Sequence, residues 1–291
     1  MVWSCLVSIL PGMAQTEKLT DYVNPFVGTD GYGNVYPGAQ IPFGGIQISP
    51  DTDSRFYDAA SGYKYNHLTL MGFSLTHLSG TGIPDLGDFL FIPGTGEMKL
   101  EPGTHEDPDQ GYRSRYSHDK EWASPNYYAV ELADYGVKAE MTSGVRSGMF
   151  RFTYPESDNA FIMIDMNHTL WQSCEWSNLR MINDSTITGY KLVKGWGPER
   201  HVYFTATFSK KLTGLRFVQD KKPVIYNTSR FRSSYEAWGK NLMACISFDT
   251  KAGEEVTVKT AISAVSTDGA RNNMKELDGL TFNELRAKGE A

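Results

Sequence analysis

The sequence predicts an all-β chain, an antiparallel β-sandwich followed by short C-terminal linking helices, on three observations. Between residues 125 and 265, apolar and polar residues alternate in short runs punctuated by Gly, Asp and Pro, the pattern of half-buried strands. These runs follow one another without intervening helical periodicity, which favours stacked antiparallel sheets over an α/β arrangement. The third observation is aromatic content: 6 Trp, 16 Tyr and 15 Phe make up 13% of the chain, beside 28 Gly. That mixture suits pleated, half-buried surfaces and also surfaces that stack on sugars.

Taken in order, the chain opens on an apolar stretch, Met1–Leu10, that closes on Pro11-Gly12-Met13-Ala14. It reads as the h-region and cleavage end of a secretory signal lacking its basic n-region. A buried N-terminal strand is the alternative. About ten apolar residues are too few to span a bilayer. Residues 1–14 are therefore assigned as a signal-peptide remnant, a periplasmic or secreted location is expected, and no membrane span is predicted.

Residues 24–95 are dense in Gly, Pro, Asp, His and Ser/Thr, the composition of long loops held on a rigid scaffold, where binding sites tend to lie. The predicted strands then run through Tyr127–Leu132, Val137–Met141, Met149–Tyr154, Ala160–Asp165, Thr186–Tyr190, Val202–Phe208, Leu242–Phe248 and Glu255–Ile262. Residues 266–278 read as helical with Asp268 as N-cap. Thr281-Phe-Asn-Glu284 is a capping box opening a second helix through Ala291. The expected organisation is a sandwich over residues 15–265 and the start of a helical linker over 266–291.

Composition excludes several classes. With 34 Asp+Glu against 28 Lys+Arg the net charge is −6, and the pI of about 5.6 gives no basic face for nucleic acid. Hydrophobic residues at 40% and charged residues at 21% are ordinary for a folded domain, not a disordered one. No Gly-Lys-Ser/Thr or Rossmann fingerprint supports nucleotide binding. Apart from Cys5, the cysteines are Cys174 and Cys245, either one disulfide or two buried thiols. Neither lies in a C-x-x-C pattern, so a structural zinc site is not expected.

General acid–base chemistry calls for two carboxyl groups on opposite sides of a reacting bond, one protonated and one ionised. Asp85 and Asp88 are the closely spaced carboxylates set in a Gly/His/Ser loop. Capping of loop amides is the preferred reading for both, with sugar contact by Asp85 an open alternative. His77, beside Thr76 and Ser79, is either a satisfied structural histidine or a pocket-lining one. His118 and His168 are read as surface or core. Arg55-Phe-Tyr57, Tyr63-Lys-Tyr65, Trp171, Trp176 and Trp196 are candidate stacking groups, each individually more common as packing.

One ordered series of motifs goes further. Asn24-Pro-Phe-Val-Gly-Thr29, Tyr36-Pro-Gly-Ala39, Pro42-Phe-Gly44, Ser49-Pro-Asp-Thr52, His77-Leu-Ser-Gly-Thr-Gly82 and Asp85-x-Gly-Asp88 occur in that order. Ser117-His118, Glu121, Pro125-x-Tyr127-Tyr128, Arg146-x-Gly148 and Val265-Ser266-x-x-Gly269-Ala270-x-x-Asn273 follow. The series resembles the N-terminal domain of glycoside hydrolase family 92, the calcium-dependent exo-acting α-mannosidases. Two positions depart from it: Gly31-Tyr-Gly-Asn34 where a Gly-His-Gly-His loop is usual, and Phe73-Ser-Leu-Thr-His77 where Phe-Ser-His-Thr-His is common.

The resemblance implies a sandwich of the supersandwich type, joined through linking helices to an (α/α)6 barrel. That barrel carries the general acid, the general base and most ligands of a bound calcium. It implies a mannose-containing glycan as partner, inverting hydrolysis by the whole protein, and no activity from this chain alone. No catalytic or metal-binding residue is therefore assigned here. Together with the stacking reading of Tyr57 and the loop position of Asn34, it gives the expected substrate-binding set Asn34, Tyr57, His77, Ser79, Thr81, Asp85 and Asp88. A free-standing carbohydrate-binding sandwich without catalysis is the second reading.

Overall fold

A computed structural model describes residues 18–54, 57–224 and 236–290. The signal-like segment, Arg55 and Phe56 lie outside the described residues. Among them the strands in chain order are β1 (Ser49–Asp51), β2 (Thr69–Leu70), β3 (Gly72–Ser74), β4 (Leu90–Thr95), β5 (Ser114–Arg115), β6 (Glu121–Ser124), β7 (Tyr127–Leu132), β8 (Val137–Ser143) and β9 (Ser147–Tyr154). They continue with β10 (Ser157–Asp165), β11 (Ser173–Asn183), β12 (Thr186–Lys194), β13 (Arg200–Phe208), β14 (Gly214–Gln219), β15 (Lys222–Pro223), β16 (Glu236–Gly239), β17 (Leu242–Thr250) and β18 (Glu254–Ser263).

A seven-stranded sheet has the order β1-β3-β4-β10-β17-β14-β15, and a nine-stranded sheet the order β16-β11-β12-β13-β18-β9-β8-β7-β6. The pairings within both are antiparallel. β2 and β5 form a small separate ribbon. The fold is the predicted all-β sandwich. All eight predicted strand runs fall inside observed strands; β11, predicted as nothing, is the longest strand of all.

Between the sheets lies one apolar core. β9 sends Phe150, Phe152 and Tyr154 inward while Met149 and Arg151 point out, the period-two alternation at work. Phe91 packs on Phe150 with ring centroids 4.9 Å apart, and Phe89 on Phe204 at 4.4 Å. The seven-stranded sheet is buried on its other face as well. There Leu90, Ile92, Phe161 and Met163 meet Tyr112, Met98 and Leu100 from the segment before β5. Burial on both faces explains why β10 reads as the unbroken run Ala160-Phe-Ile-Met-Ile164.

Two helices, α1 (Thr267–Met274) and α2 (Phe282–Glu290), close the chain against the outer face of the nine-stranded sheet. Leu277, Phe282 and Leu285 bury against Tyr127, Ala129 and Met149. The cap of α1 is Ser266, whose Oγ accepts from the Gly269 amide at 2.9 Å; Asp268, predicted for that role, sits inside the first turn. There its carboxylate faces the positive end of the helix. The capping box of α2 forms as predicted, with the Glu284 amide donating to Thr281 Oγ1 and the Thr281 amide to Glu284 Oε2. Cys174 and Cys245 are both buried free thiols, so of the two readings open for this pair the structure takes the second.

Candidate functional site

Five loops meet at one end of the sandwich: residues 30–40, the stretch after β1, the β3–β4 connection, the β10–β11 connection and the β12–β13 connection. Their backbones are tied directly. Gly80 donates to the Asn34 carbonyl (2.7 Å) and Leu170 to that of Leu86 (2.9 Å). The β3–β4 loop turns back on itself through a bridge between His77 and Leu86. It does so at some conformational cost, because Leu86, Gly87 and Phe89 all have positive φ, at 73°, 76° and 60°. Position 87 also demands glycine sterically, since a Cβ there would lie 2.7 Å from the Leu170 side chain.

Two buried ionic clusters hold these loops. In the first, Asp51 is fully buried between two imidazoles: Oδ1 lies 2.8 Å from His77 Nε2 and Oδ2 2.8 Å from His168 Nε2. His77 Nδ1 lies 2.8 Å from the Gln47 carbonyl. Burial alone would raise the Asp51 carboxyl, but the charges and hydrogen bonds of His77 and His168 hold it well below the usual carboxylate range.

In the second cluster Asp88, also fully buried, accepts a bidentate pair from Arg200 (Nη1–Oδ2 2.5 Å, Nη2–Oδ1 3.1 Å). Lys191 Nζ lies 3.1 Å from Oδ1, and Thr76 Oγ1 donates to Oδ2 at 2.8 Å. Here too burial opposes ionisation and is overridden, first by Lys191 and then by Arg200, so the carboxyl is held far down. The clusters are joined: Lys191, with no exposed surface of its own, donates to the His168 carbonyl at 2.6 Å.

The seven residues expected to contact substrate therefore separate into two sets. His77, Asp85 and Asp88 are interior. His77 has both ring nitrogens engaged by protein oxygens, and Asp88 is saturated by Lys191, Arg200 and Thr76. Asp85 accepts from the Leu86 amide at 2.6 Å and the Trp196 amide at 3.3 Å. Asp85 and Asp88 thus take the amide- and ion-pairing roles rather than presenting two free carboxyls. Asn34, Tyr57, Ser79 and Thr81 lie nearer the rim. Asn34 and the Ser79–Thr81 turn are brought together through the Asn34 carbonyl. Tyr57 is 56% exposed and packs beside Trp171, ring centroids 5.4 Å apart.

Of the candidate stacking aromatics, Tyr63 is buried and donates to Glu121. Tyr65 stacks on His118 at 4.0 Å, and Trp171 and Trp196 stand exposed at the loop end. Sequence reasoning gave Asp51, Lys191 and Arg200 no role at the site, and His168 only a place at the surface or in the core, of which the structure takes the core. Lys191 did carry a signal: it occupies the inward register of β12 with Ile187, Gly189 and Val193, where an unpaired lysine could not stay. Among the described residues no group of three or more His, Cys, Asp or Glu could hold a metal ion. Asp51 is engaged by two imidazoles and Asp88 by Lys191, Arg200 and Thr76, so neither carboxylate is free to ligate, and these two clusters do not fit a calcium site. No helix among the described residues is long and apolar enough to cross a membrane.

Comparison with known proteins agrees with this architecture. The profile of the glycosyl hydrolase family 92 N-terminal domain matches residues 22–263. The fold superposes on the family 92 glycosyl hydrolase CcMan5 with TM-score 0.78 and 26% identity, covering 93% of this chain and 36% of that one. It superposes on the family 92 inverting mannosidase BT2199 of Bacteroides thetaiotaomicron with TM-score 0.77 and 24% identity, covering 94% of this chain and 35% of that one. An uncharacterized secreted glycosidase of Arthroderma benhamiae is 30% identical over 139 residues, which is 47% of this chain and 17% of the relative. The chain thus spans about a third of the length of its solved relatives and less of the curated one.

Proposed function

The chain belongs to glycosyl hydrolase family 92 as its N-terminal domain, and from that premise we propose that it serves a secreted, inverting α-mannosidase as the scaffold and one pocket wall for a terminal mannose. The observation that carries this reading is the loop end itself. Two buried ionic clusters spend every charge on fixing loop geometry, and polar and aromatic groups are left on the rim: Asn34, Ser79, Thr81 and Tyr57. Preorganised loops of this kind position a substrate without doing the chemistry.

In this proposal His77, Asp85 and Asp88 act through the loops they hold rather than by touching sugar. The chain alone is inactive. Glycoside hydrolysis needs one protonated carboxyl and one free carboxylate, and Asp51 and Asp88 are both held in the ionised form and engaged, Asp51 by the His77 and His168 side chains and Asp88 by Lys191 and Arg200. The acid, the base and the calcium ligands are assigned to a helical barrel beyond this domain.

Two measurements test the proposal. Sequencing the coding DNA beyond Ala291 is expected to reveal several hundred further codons with carboxylates in helical context; an immediate stop codon would favour the free-standing sugar-binding module instead. The purified chain, incubated with an α-linked mannobiose and calcium, is expected to release no mannose, and release would overturn the assigned division of labour.

A further inference from the structure

Beside the β3–β4 loop lies a cleft of about 750 Å³ lined by Pro84, Trp171, Gln172, Ser173, Glu175, Lys194, Gly195 and Trp196. We propose that this cleft binds a neutral hexopyranose unit of an oligosaccharide, with Trp171 and Trp196 as its stacking walls and Gln172 as its hydrogen-bonding anchor. None of its lining residues is among the rim residues assigned above to the terminal mannose, although the rim Tyr57 packs on Trp171 with ring centroids 5.4 Å apart.

The two indoles are the first argument. Trp171 and Trp196 are 56% and 70% exposed, an unfavourable placement for the largest apolar side chain unless something covers it. The C–H face of a pyranose is such a cover, apolar on the ring and polar at its edge.

The second argument is an unspent acceptor. Gln172 Nε2 donates to the Pro84 carbonyl at 2.7 Å, which fixes the amide. Its Oε1 is then left shielded from solvent with no hydrogen-bond partner. Such an atom is destabilising unless a donor reaches it, and a sugar hydroxyl is a donor of the right size. Ser173, Glu175 and Lys194 bring further polar groups to the same cleft. The Ser173 hydroxyl donates to Glu175 at 2.5 Å, which orients that carboxylate. With both signs of charge present, the lining suits an uncharged, hydroxyl-rich ligand better than an anion or a cation.

The third argument is rigidity. Trp171 has φ 75°, a region bulky residues seldom occupy. It is kept there by Thr169 Oγ1 donating to the Gln172 carbonyl at 2.8 Å and by the Tyr57 ring behind it. Trp196 is anchored through its amide to Asp85. Gly195 has no side chain because Gln172 occupies the space, 2.3 Å from where a Cβ would stand. Walls and anchor are therefore set before any ligand arrives, which lowers the ordering cost of binding.

Titration of the 291-residue chain with α-linked mannobiose, maltose and cellobiose, followed by calorimetry and tryptophan fluorescence, tests the site. Saturable binding of at least one disaccharide near about 1 mM is expected. Trp171→Ala and Trp196→Ala should each weaken it by about tenfold or more, and Gln172→Leu by about threefold to tenfold, while Trp122→Ala, on β6 at the opposite edge of the nine-stranded sheet, leaves it unchanged. Far-UV circular dichroism and urea midpoints confirm that the variants fold; Trp171→Phe, which keeps a ring, should retain part of the affinity. Binding of a gluco-configured disaccharide but not mannobiose upholds the cleft and leaves the mannose reading of the rim untouched. Saturable binding of none of the three, or binding indifferent to both tryptophan variants, overturns the proposal.

Discussion

The middle of the sandwich and its loop end are equally buried and are held by opposite means. In the middle, Phe91, Phe150, Phe152 and Phe204 exclude water by apolar contact alone. At the loop end Asp51, Asp88 and Lys191 are as deeply enclosed, yet the interior is built of ions and imidazoles. An apolar core tolerates rearrangement of contacts of similar volume. An ionic one admits few arrangements, because each charge left unpaired in the interior is expensive. The contrast teaches where geometry is being specified: the phenylalanines supply stability, and the ion clusters determine where five loops stop.

The largest effects should come from breaking each region at its centre. Asp88→Ala strands Lys191 and the half-buried Arg200, and should cost about 3–5 kcal/mol. Phe204→Ala removes a buried ring and should cost a similar amount, about 3–5 kcal/mol. Urea denaturation gives both values. Joint replacement distinguishes the regions: Asp88→Asn with Lys191→Met, which removes both charges, should recover much of the loss. If Asp88→Ala costs under about 1 kcal/mol, the ionic end is not what fixes these loops.

Acid separates the regions without mutation. Asp51 and Asp88 have folded-state pKa values below their unfolded ones. A carboxyl depressed on folding contributes stability that is present in full above the unfolded value of about 4 and is lost as pH falls through the folded value. Stability should therefore decline as the pH is lowered below about 4. Phe204→Ala should show the same decline from a lower starting point, whereas the Asp88→Asn, Lys191→Met double variant should show a shallower one. Parallel pH profiles for all three proteins would remove Asp88 as the source.

The same contrast governs what could be read from the sequence. β9 and β12 announce themselves because each residue's fate follows from its neighbours two positions away. β4 and β11 do not. β4 contains Pro93 and Gly94, and Gly94 is required by the Phe161 ring of the next strand, 2.4 Å from its missing Cβ. β11, second from the edge between β16 and β12, is buried mainly along its middle and is more exposed toward both ends. The motifs of residues 24–95 located the site, but the partners of Asp51 and Asp88 lie 117 and 112 residues away at His168 and Arg200. Pairings that distant leave no local period to detect. His77 could be read as a structural or a pocket-lining histidine, because only the fold brings Asp51 and Gln47 to its two nitrogens.

A smaller effect is expected where the helices meet the sheet. Glu276, in the turn between α1 and α2, accepts from the Val145 and Arg146 amides and the Ser147 hydroxyl at 2.7, 3.1 and 2.6 Å. It clasps the β8–β9 turn much as Asp88 clasps the loop end, but at the surface, where water can replace it. Glu276→Gln keeps the shape and loses the charge, so it should cost about 1 kcal/mol. A loss comparable to that of Asp88→Ala would mean that burial is not what separates the two clasps.

The smallest effect belongs to the capping box. Glu284 and Thr281 exchange hydrogen bonds at the start of α2, and both are exposed. Glu284→Ala leaves amides that water can reach, so about 0.5 kcal/mol is expected. The docking of Phe282 and Leu285 against Tyr127 and Met149 persists in that variant. Hydrogen exchange should therefore show faster opening of the first turn of α2 with no change at Lys191 or Phe204. Loosening that spread to the loop end would couple the helices to the ionic clusters, and the two regions would then have to be treated as one cooperative unit.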